Sequence, residues 1–354
     1  MQIGILTFHR AINAGAVLQA YALQETLSRL GHDVSIIDYR PPYIDKAYKP
    51  IRSIDPRHPV GLLYEISTSI LRFKRLKKYR SFRDLYLRIK PLTTLSECDC
   101  VFLGSDQIWN SSITGGRLDP AFFNQSPLGK AKKGIAYAAS TMSIERLTAN
   151  DLDDFSVWLP RLSAIGAREK KLGEFLSVRY SLPVTEVIDP TLLAPKEIFD
   201  PFISKPSCDS EYLLFYEVWH NDEVENKARE VARDKDLKFI GISGSDIRMH
   251  RTGIRQIVSP SEFVSYIANA SHVVTSSFHG TAFSLIFEKQ FNVVCEEPHQ
   301  AVRMKEMLDS IGLNEKLTFR MTGIDNKPIQ YDMVREKLAA YRDESMKFIQ
   351  DSLR

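Results

Sequence analysis

Short apolar runs alternate with longer segments of helical period along most of this chain. Ile3 to Thr7 reads as a buried strand, followed by a loop through His9, Asn13 and Gly15. Ala16 to Leu30 then places Leu18, Ala22 and Leu27, with Tyr21 and Leu30 beside them, on or near one helix face. Gly31 ends that helix, and Val34 to Tyr39 forms a second strand that Pro41-Pro42 stops. This β-loop-α-β order predicts the opening of a parallel, doubly wound sheet. Residues 43–95 read as an irregular, mostly helical insertion. Strands are expected at Cys100–Gly104, Gly134–Ala138, Ala164–Arg168 and Val184–Ile188, with a helix from Glu169 to Leu176 and a turn at Asp189-Pro190.

Pro195, Pro201 and Pro206 crowd one stretch and suggest a hinge. A second series follows, with strands at Tyr212–Tyr216, Leu237–Ile242, Val273–Thr275 and Phe291–Cys295. Helices are expected at Glu223–Asp234, Glu262–Ala270 and Arg303–Ile311, the last closed by Gly312. The tail Met333 to Leu353 is a long amphipathic helix. The predicted architecture is α/β, with two Rossmann-like doubly wound domains facing a cleft in a GT-B-like layout. Residues 1–195 form the expected N-terminal domain on the acceptor side, with a basic helical insertion at 43–95. Residues 196–330 form the C-terminal, donor-side domain, and 331–354 a terminal helix.

A length of 354 residues with 44% hydrophobic content exceeds what one core usually covers, in keeping with two domains. The net charge of +3 gives no case for nucleic acid. Cys98, Cys100, Cys208 and Cys295 are too few and too irregular for a disulfide framework, and Cys98-x-Cys100 has no second pair to complete a zinc site. No metal is expected. The opening MQIGILTF has no basic n-region and no run of 18 apolar residues exists, so a soluble cytoplasmic protein is expected.

The most chemically suggestive string is His272 to Phe287, HVVTSSFHGTAFSLIF, a strand that breaks at Ser276-Ser277-Phe278-His279-Gly280 and restarts as an apolar helix. A histidine and two hydroxyls at a strand's carboxyl end, where a helix opens, lie where α/β proteins bind anions. Imidazole titrates near working pH, so His279 is the candidate acid/base; a buried histidine capping the next helix is the alternative. Ser276, Ser277 and the amides from Gly280 and Thr281 onward are candidates for a phosphate cradle, against plain N-capping by serine. In the loop GSDQIWN, Gly104 permits a sharp turn. Ser105, Asp106 and Gln107 offer hydrogen bonds to a sugar and Trp109 a face to stack on, or else Asp106 caps a helix and Trp109 is core. Asn13 and Gly15 open the first strand's carboxyl end and are candidates for acceptor contact.

Three segments in this order resemble one family, the polysaccharide pyruvyl transferases: ILTFHRAINAGAVLQAYALQETLSRLGHDVSIIDY, VFLGSDQIWN and SHVVTSSFHGTAFSLIFEKQF. Ala167-Arg168-Glu169-Lys170 with the later VIDPTLL, and RMKEMLDSIGL from Arg303, add to the resemblance, which runs from about Gln2 to Leu313. The resemblance implies transfer of the enolpyruvyl group of phosphoenolpyruvate onto two hydroxyls of a sugar, giving a cyclic ketal and phosphate. It implies no cofactor beyond phosphoenolpyruvate as co-substrate, and a glycan or lipid-linked oligosaccharide of a capsule or cell envelope as acceptor. Arg168 matches the family's central arginine and is the first choice for an anion clamp, with Arg303 second and Arg248, Arg251 and Arg255 in reserve. Two departures stand out. Ser277 occupies the position where the family has arginine, two before the histidine, and Ala14 replaces the tyrosine of asparagine-tyrosine-glycine.

Between Arg72 and Lys90, nine of nineteen residues are basic and only Asp84 is acidic, while Phe73, Leu76, Tyr79, Phe82, Leu85 and Tyr86 recur at helical spacing. Such a stripe suits peripheral contact with an anionic membrane at its inner face, or a packed helix with a solvated basic side. Two other functions stay open on the sequence. One is a GT-B glycosyltransferase using a nucleotide sugar, for which Glu296-Glu297 is the acidic candidate. The other is a catalytically inert glycan-binding homologue.

Overall fold

The computed structural model describes the chain apart from residues 52–58, 126–128, 205–209, 245–252, 297–300, 320–323 and 326, and the side chains of 59–62. Pro206, Cys208, Arg248, Arg251 and Glu297 therefore lie outside the described residues. The first lobe contains β1 (Gln2–Leu6), α1 (Ala14–Arg29), β2 (Asp33–Asp38), α2 (Pro42–Ala47), α3 (Pro59–Tyr86), β3 (Ile89–Pro91), β4 (Cys100–Leu103), β5 (Lys133–Ala139), α4 (Ala149–Trp158), β6 (Ala164–Ala167), α5 (Lys170–Tyr180), β7 (Thr185–Glu186) and α6 (Pro190–Leu193). The second contains β8 (Tyr212–Glu217), α7 (Asp222–Asp234), β9 (Lys238–Ser243), β10 (Ile254–Arg255), α8 (Pro260–Ala268), β11 (His272–Thr275), α9 (Phe278–Ile286), β12 (Gln290–Cys295), α10 (Val302–Ile311) and β13 (Leu317–Phe319). A last helix, α11 (Tyr331–Leu353), follows.

Each lobe is built on one parallel sheet, ordered β3-β2-β1-β4-β5-β6-β7 in the first and β10-β9-β8-β11-β12-β13 in the second. The central strands are buried along their whole length, as CVFL of β4 and YLLFYE of β8 show, because helices cover both faces of such a sheet. The order reverses between β1 and β4 and between β8 and β11. Crevices open at the carboxyl ends of strands at such reversals. These are the two Rossmann-like lobes expected from the hydrophobic pattern.

Three connections hold the lobes in one arrangement. The proline-rich stretch expected to hinge is packed instead: Ile198, Phe199 and Phe202 are buried, and Tyr21 on α1 donates to Ile198 O at 3.2 Å. Phe199 lies against Phe283 of α9 with ring centroids 5.0 Å apart. Helix α11 returns across the first lobe, where Ile188 N donates to Ser345 Oγ at 2.9 Å and Arg342 Nε donates to Leu192 O at 2.6 Å. The basic helix α3 buries Tyr79 and Phe82 and pairs Lys78 with Glu262 of α8 at 2.6 Å. Arg75 and Arg83 are themselves buried and Arg72 pairs with Glu65, so much of the charge in 72–90 is spent inside the fold. Among the described residues no helix is long and apolar enough to cross a membrane.

Candidate functional site

The two reversal points meet at His279. Helix α1 begins at the carboxyl end of β1, capped by Asn13, whose Oδ1 accepts from Ala16 N at 3.3 Å. That brings Gly15 so close to the imidazole that a Cβ at position 15 would stand 2.1 Å from His279 Nδ1. Glycine is there because a ring from the other lobe rests on its backbone. His279 is 7% exposed and its Nε2, buried, has no hydrogen-bond partner. Asp189 Oδ2 is 3.8 Å away, beyond hydrogen-bond reach.

Asp189 sits at the end of the β7 turn and caps α6, with Oδ1 accepting from Thr191 N at 3.0 Å and Thr191 Oγ1 at 2.8 Å. Its Oδ2 accepts from Ser105 Oγ at 3.2 Å and Arg168 Nη1 at 3.1 Å. Burial pushes this carboxyl up, but His279, Arg168 and Thr191 together outweigh it and hold Asp189 below the usual range. Arg168 also donates from Nε to Glu169 Oε1 at 3.3 Å, and Ser140 Oγ donates to the same oxygen at 2.6 Å. The Arg168 and Asp189 side chains are 3% and 0% exposed, so removing either would strand a buried charge at a cost of about 3–5 kcal/mol. Burial lowers the His279 pKa, and Arg168 and Arg303 push the same way, while Asp189 and Asp106 oppose them. The ring is held neutral to below its ordinary value.

Beside this cluster a cavity of about 50 Å³ is lined by Arg168, Glu169, Asp189, Phe278, Arg303 and Glu306, with an apolar wall that includes Leu192 and Met307. Both guanidinium groups lie over the Phe278 ring, with Cζ atoms 4.8 Å (Arg168) and 5.8 Å (Arg303) from its centroid. Arg168 Nη2, Glu169 Oε2 and both carboxylate oxygens of Glu306 are buried without hydrogen-bond partners. Burial, and then the Glu169 charge, push Glu306 up to about 7. Unpaired buried donors beside unpaired buried acceptors are costly unless a ligand or water completes them. The cavity lining offers an anion Arg168 and Arg303, and His279 adjoins the same cluster through Asp189.

Several expected contacts fall elsewhere. Trp109 is fully buried and stacks on Phe123 at 5.4 Å and 8°, so its role is core packing and it offers no face to a sugar. Ser105 is also fully buried, with its hydroxyl shared between Asp189 and Ala138 O, and acts behind the site. Gln107 Oε1 accepts from Asn110 Nδ2 at 2.7 Å. The expected phosphate cradle is closed by its own helix. Ser277 Oγ accepts from Gly280 N at 3.4 Å, Thr281 N and Oγ1 both donate to Ser277 O, and Thr281 is fully buried. Gly280 is required for packing, since a Cβ would meet Thr275 Oγ1 at 2.3 Å. Ser276, Asn13 and Asp106 stay half-buried. Arg255 lies on β10, three strands from β11, and is not part of the cluster. Asp189, Glu169 and Glu306 were not singled out from the sequence, although Arg168-Glu169 and VIDPTLL carry the first two.

Two facing α/β lobes whose sheet reversals converge on one histidine and a buried arginine–carboxylate network define a doubly wound, two-lobed α/β protein. The sequence profile of the polysaccharide pyruvyl transferases matches residues 13–294, and the chain belongs to that family. No curated protein matches it. Among solved structures it is similar to the UDP-GlcNAc 2-epimerase of Neisseria meningitidis bound to UDP-GlcNAc, at 12% identity and TM-score 0.48 over 100% of this chain and 99% of that one. The S. aureus MnaA–UDP structure gives 13% and 0.49 over 99% and 90%, and the glycosyltransferase SnogD from Streptomyces nogalater 11% and 0.39 over 98% and 95%. Identities this low transfer neither substrate nor activity.

Proposed function

We propose that this chain transfers the enolpyruvyl unit of phosphoenolpyruvate to two hydroxyls of one sugar in a polysaccharide or lipid-linked precursor. The observation that carries the reading is the unpartnered Nε2 of His279, buried beside two guanidinium groups. In the reaction His279 gives a proton to the methylene carbon of the donor. One sugar hydroxyl bonds to the adjacent carbon and returns its proton to His279; the second then displaces phosphate, which leaves with that hydroxyl's proton. Arg168 and Arg303 hold the carboxylate and phosphate, to which guanidinium forks are matched. Because burial keeps His279 neutral in the open site, it charges as the anionic donor arrives, which couples donor binding to proton uptake. The half-buried Asp106 and Asn13 would face the acceptor, and the exposed basic side of α3 would favour an anionic lipid carrier at the inner face of the membrane.

The test is incubation with phosphoenolpyruvate and candidate glycans, following phosphate release together with a ketal methyl signal by NMR. Wild-type protein gives both and His279→Ala loses both. Turnover unchanged in His279→Ala removes the mechanism, and release of nucleotide from a nucleotide sugar replaces the reaction altogether.

A further inference from the structure

Helix α3 changes its apolar side halfway along its length. In the second half the ordinary rule holds, with Tyr79 and Phe82 buried and Lys74, Lys77 and Arg80 exposed. In the first half the rule is inverted. Leu63, Ile66, Ile70 and Phe73 are 67%, 46%, 52% and 49% exposed, while Thr68 and Ser69 are buried and Glu65 and Arg72 nearly so. The inward polar groups satisfy one another: Arg72 Nη1 donates to Glu65 Oε1 at 2.7 Å and to Pro50 O at 2.8 Å, and Nη2 to Thr68 Oγ1 at 2.9 Å. Hydrogen bonds thus anchor this half of the helix and leave its apolar side outward.

Positions 63, 66, 70 and 73 repeat every three and four residues and so form one stripe, which Lys77 and Arg80 continue along the same line. Elsewhere, exposed large apolar side chains such as Val157, Val178, Trp219 and Met333 stand singly on separate elements. A contiguous apolar stripe marks an interaction face. Size and charge identify what covers it. Four half-exposed side chains offer roughly 300 Å², well under the ~800 Å² that each partner buries in a stable pair. Pairing α3 in parallel with a second copy would also set Lys77 and Arg80 against themselves. An anionic bilayer meets neither obstacle, because apolar side chains enter its acyl boundary while neighbouring cations reach lipid phosphates. Asp84, the acidic residue further along that line, is matched by Arg80 at 3.6 Å.

We propose that α3 is a membrane-docking helix whose Leu63, Ile66, Ile70 and Phe73 insert into the surface of an anionic bilayer, with Lys74, Lys77 and Arg80 on its phosphates. The contact thereby centres on the stripe ahead of the basic stretch. This rests on the lipid-carrier part of the proposed function for its purpose, although vesicle binding requires no turnover.

The experiment is co-sedimentation of the full chain with vesicles of phosphatidylglycerol and phosphatidylcholine in equal parts, and of phosphatidylcholine alone, at low and high salt. Wild type should bind the anionic vesicles and bind the neutral ones about tenfold less or weaker. Each buried methylene is worth about fourfold, so Ile70→Ser with Phe73→Ser should weaken binding by about tenfold or more. Lys74→Gln and Lys77→Gln should each cost about fivefold, an effect that salt removes. All four side chains are exposed, so these variants should keep the wild-type circular dichroism and phosphate release with a soluble acceptor. Wild type that ignores anionic vesicles, or binds them no better than Ile70→Ser with Phe73→Ser, overturns the proposal. So does a dimer in size-exclusion chromatography that the same double variant splits, since a second copy would then cover the stripe. Wild type that binds anionic vesicles through the stripe but releases no phosphate supports the docking face and removes the pyruvyl-transfer reading.

Discussion

Replacing Gly15 with alanine should separate catalysis from folding. A Cβ at position 15 would stand 2.1 Å from His279 Nδ1 and 2.2 Å from Cγ, while ordinary contact starts at 3.4 Å, so ring or helix must give way by about 1.3 Å. Within α1 itself alanine is the better residue, by up to about 1 kcal/mol, whereas overpacking costs about 1–3 kcal/mol. The net loss of stability should therefore be no more than about 3 kcal/mol. Catalysis has no such offset, because displacing a reacting group by about 1 Å costs on the order of 10²-fold in rate. The assay combines phosphate release, giving kcat/KM, with urea unfolding and the His279 imidazole resonances. Unchanged kcat/KM together with unmoved imidazole signals would refute the claim that Gly15 seats the ring.

Arg303→Met should leave stability nearly unchanged, since among the described residues its guanidinium has no hydrogen bond or ion pair, but raise the KM for phosphoenolpyruvate about 10–150-fold, the worth of a charge-assisted hydrogen bond; an unaltered KM would remove it from the donor site. Trp109→Ala should cost about 3–5 kcal/mol in denaturant unfolding, while Trp109→Phe keeps acceptor affinity; acceptor affinity lost in Trp109→Phe at unchanged stability would restore the sugar-stacking role. His272, buried with Nε2 donating to Asn292 Oδ1, has its pKa lowered by burial from 6.5 to about 4. The unfolded chain therefore takes up a proton first as pH falls, and stability is lost below about 6.5 down to about 4. Linkage gives a loss of about 2 kcal/mol between pH 7.5 and 5, to be measured as the difference between wild type and His272→Asn unfolding at the two values; no difference in slope would count against a buried neutral His272.

The interior strands were legible because a parallel sheet covered on both faces demands continuous apolar runs, and Cys100–Leu103 or Tyr212–Glu217 can satisfy little else. The edge strands β3, β10 and β13 were not, since two or three residues carry no period and take their conformation from the neighbouring ladder. At the site, His279 stood out by residue type and position, and Arg168 through the family resemblance. Asp189 did not, because an Asp-Pro pair reads as a helix start, and it is also one here; its second task appears only when α6 meets β6 and α9. Trp109 and Ser105 had the right chemistry for a sugar but are fully buried, and burial is a property of the assembled lobe that a loop sequence cannot display.

The departure at Ser277 has a physical reading in the same terms. Its hydroxyl accepts from Gly280 N and so starts α9, a task an arginine side chain cannot perform. The cation expected at that turn has a counterpart on α10, where Arg303 approaches Phe278 from one side while Arg168 lies over the same ring. Arg168 is already held by Asp189 and Glu169, so most of its charge is balanced within the protein. An incoming trianionic donor would therefore find its unspent positive charge chiefly on Arg303 and on a His279 that protonates as the donor enters. That division makes Arg168 the structural fork that fixes Asp189 and Glu169, and Arg303 the group whose removal the donor should feel most directly.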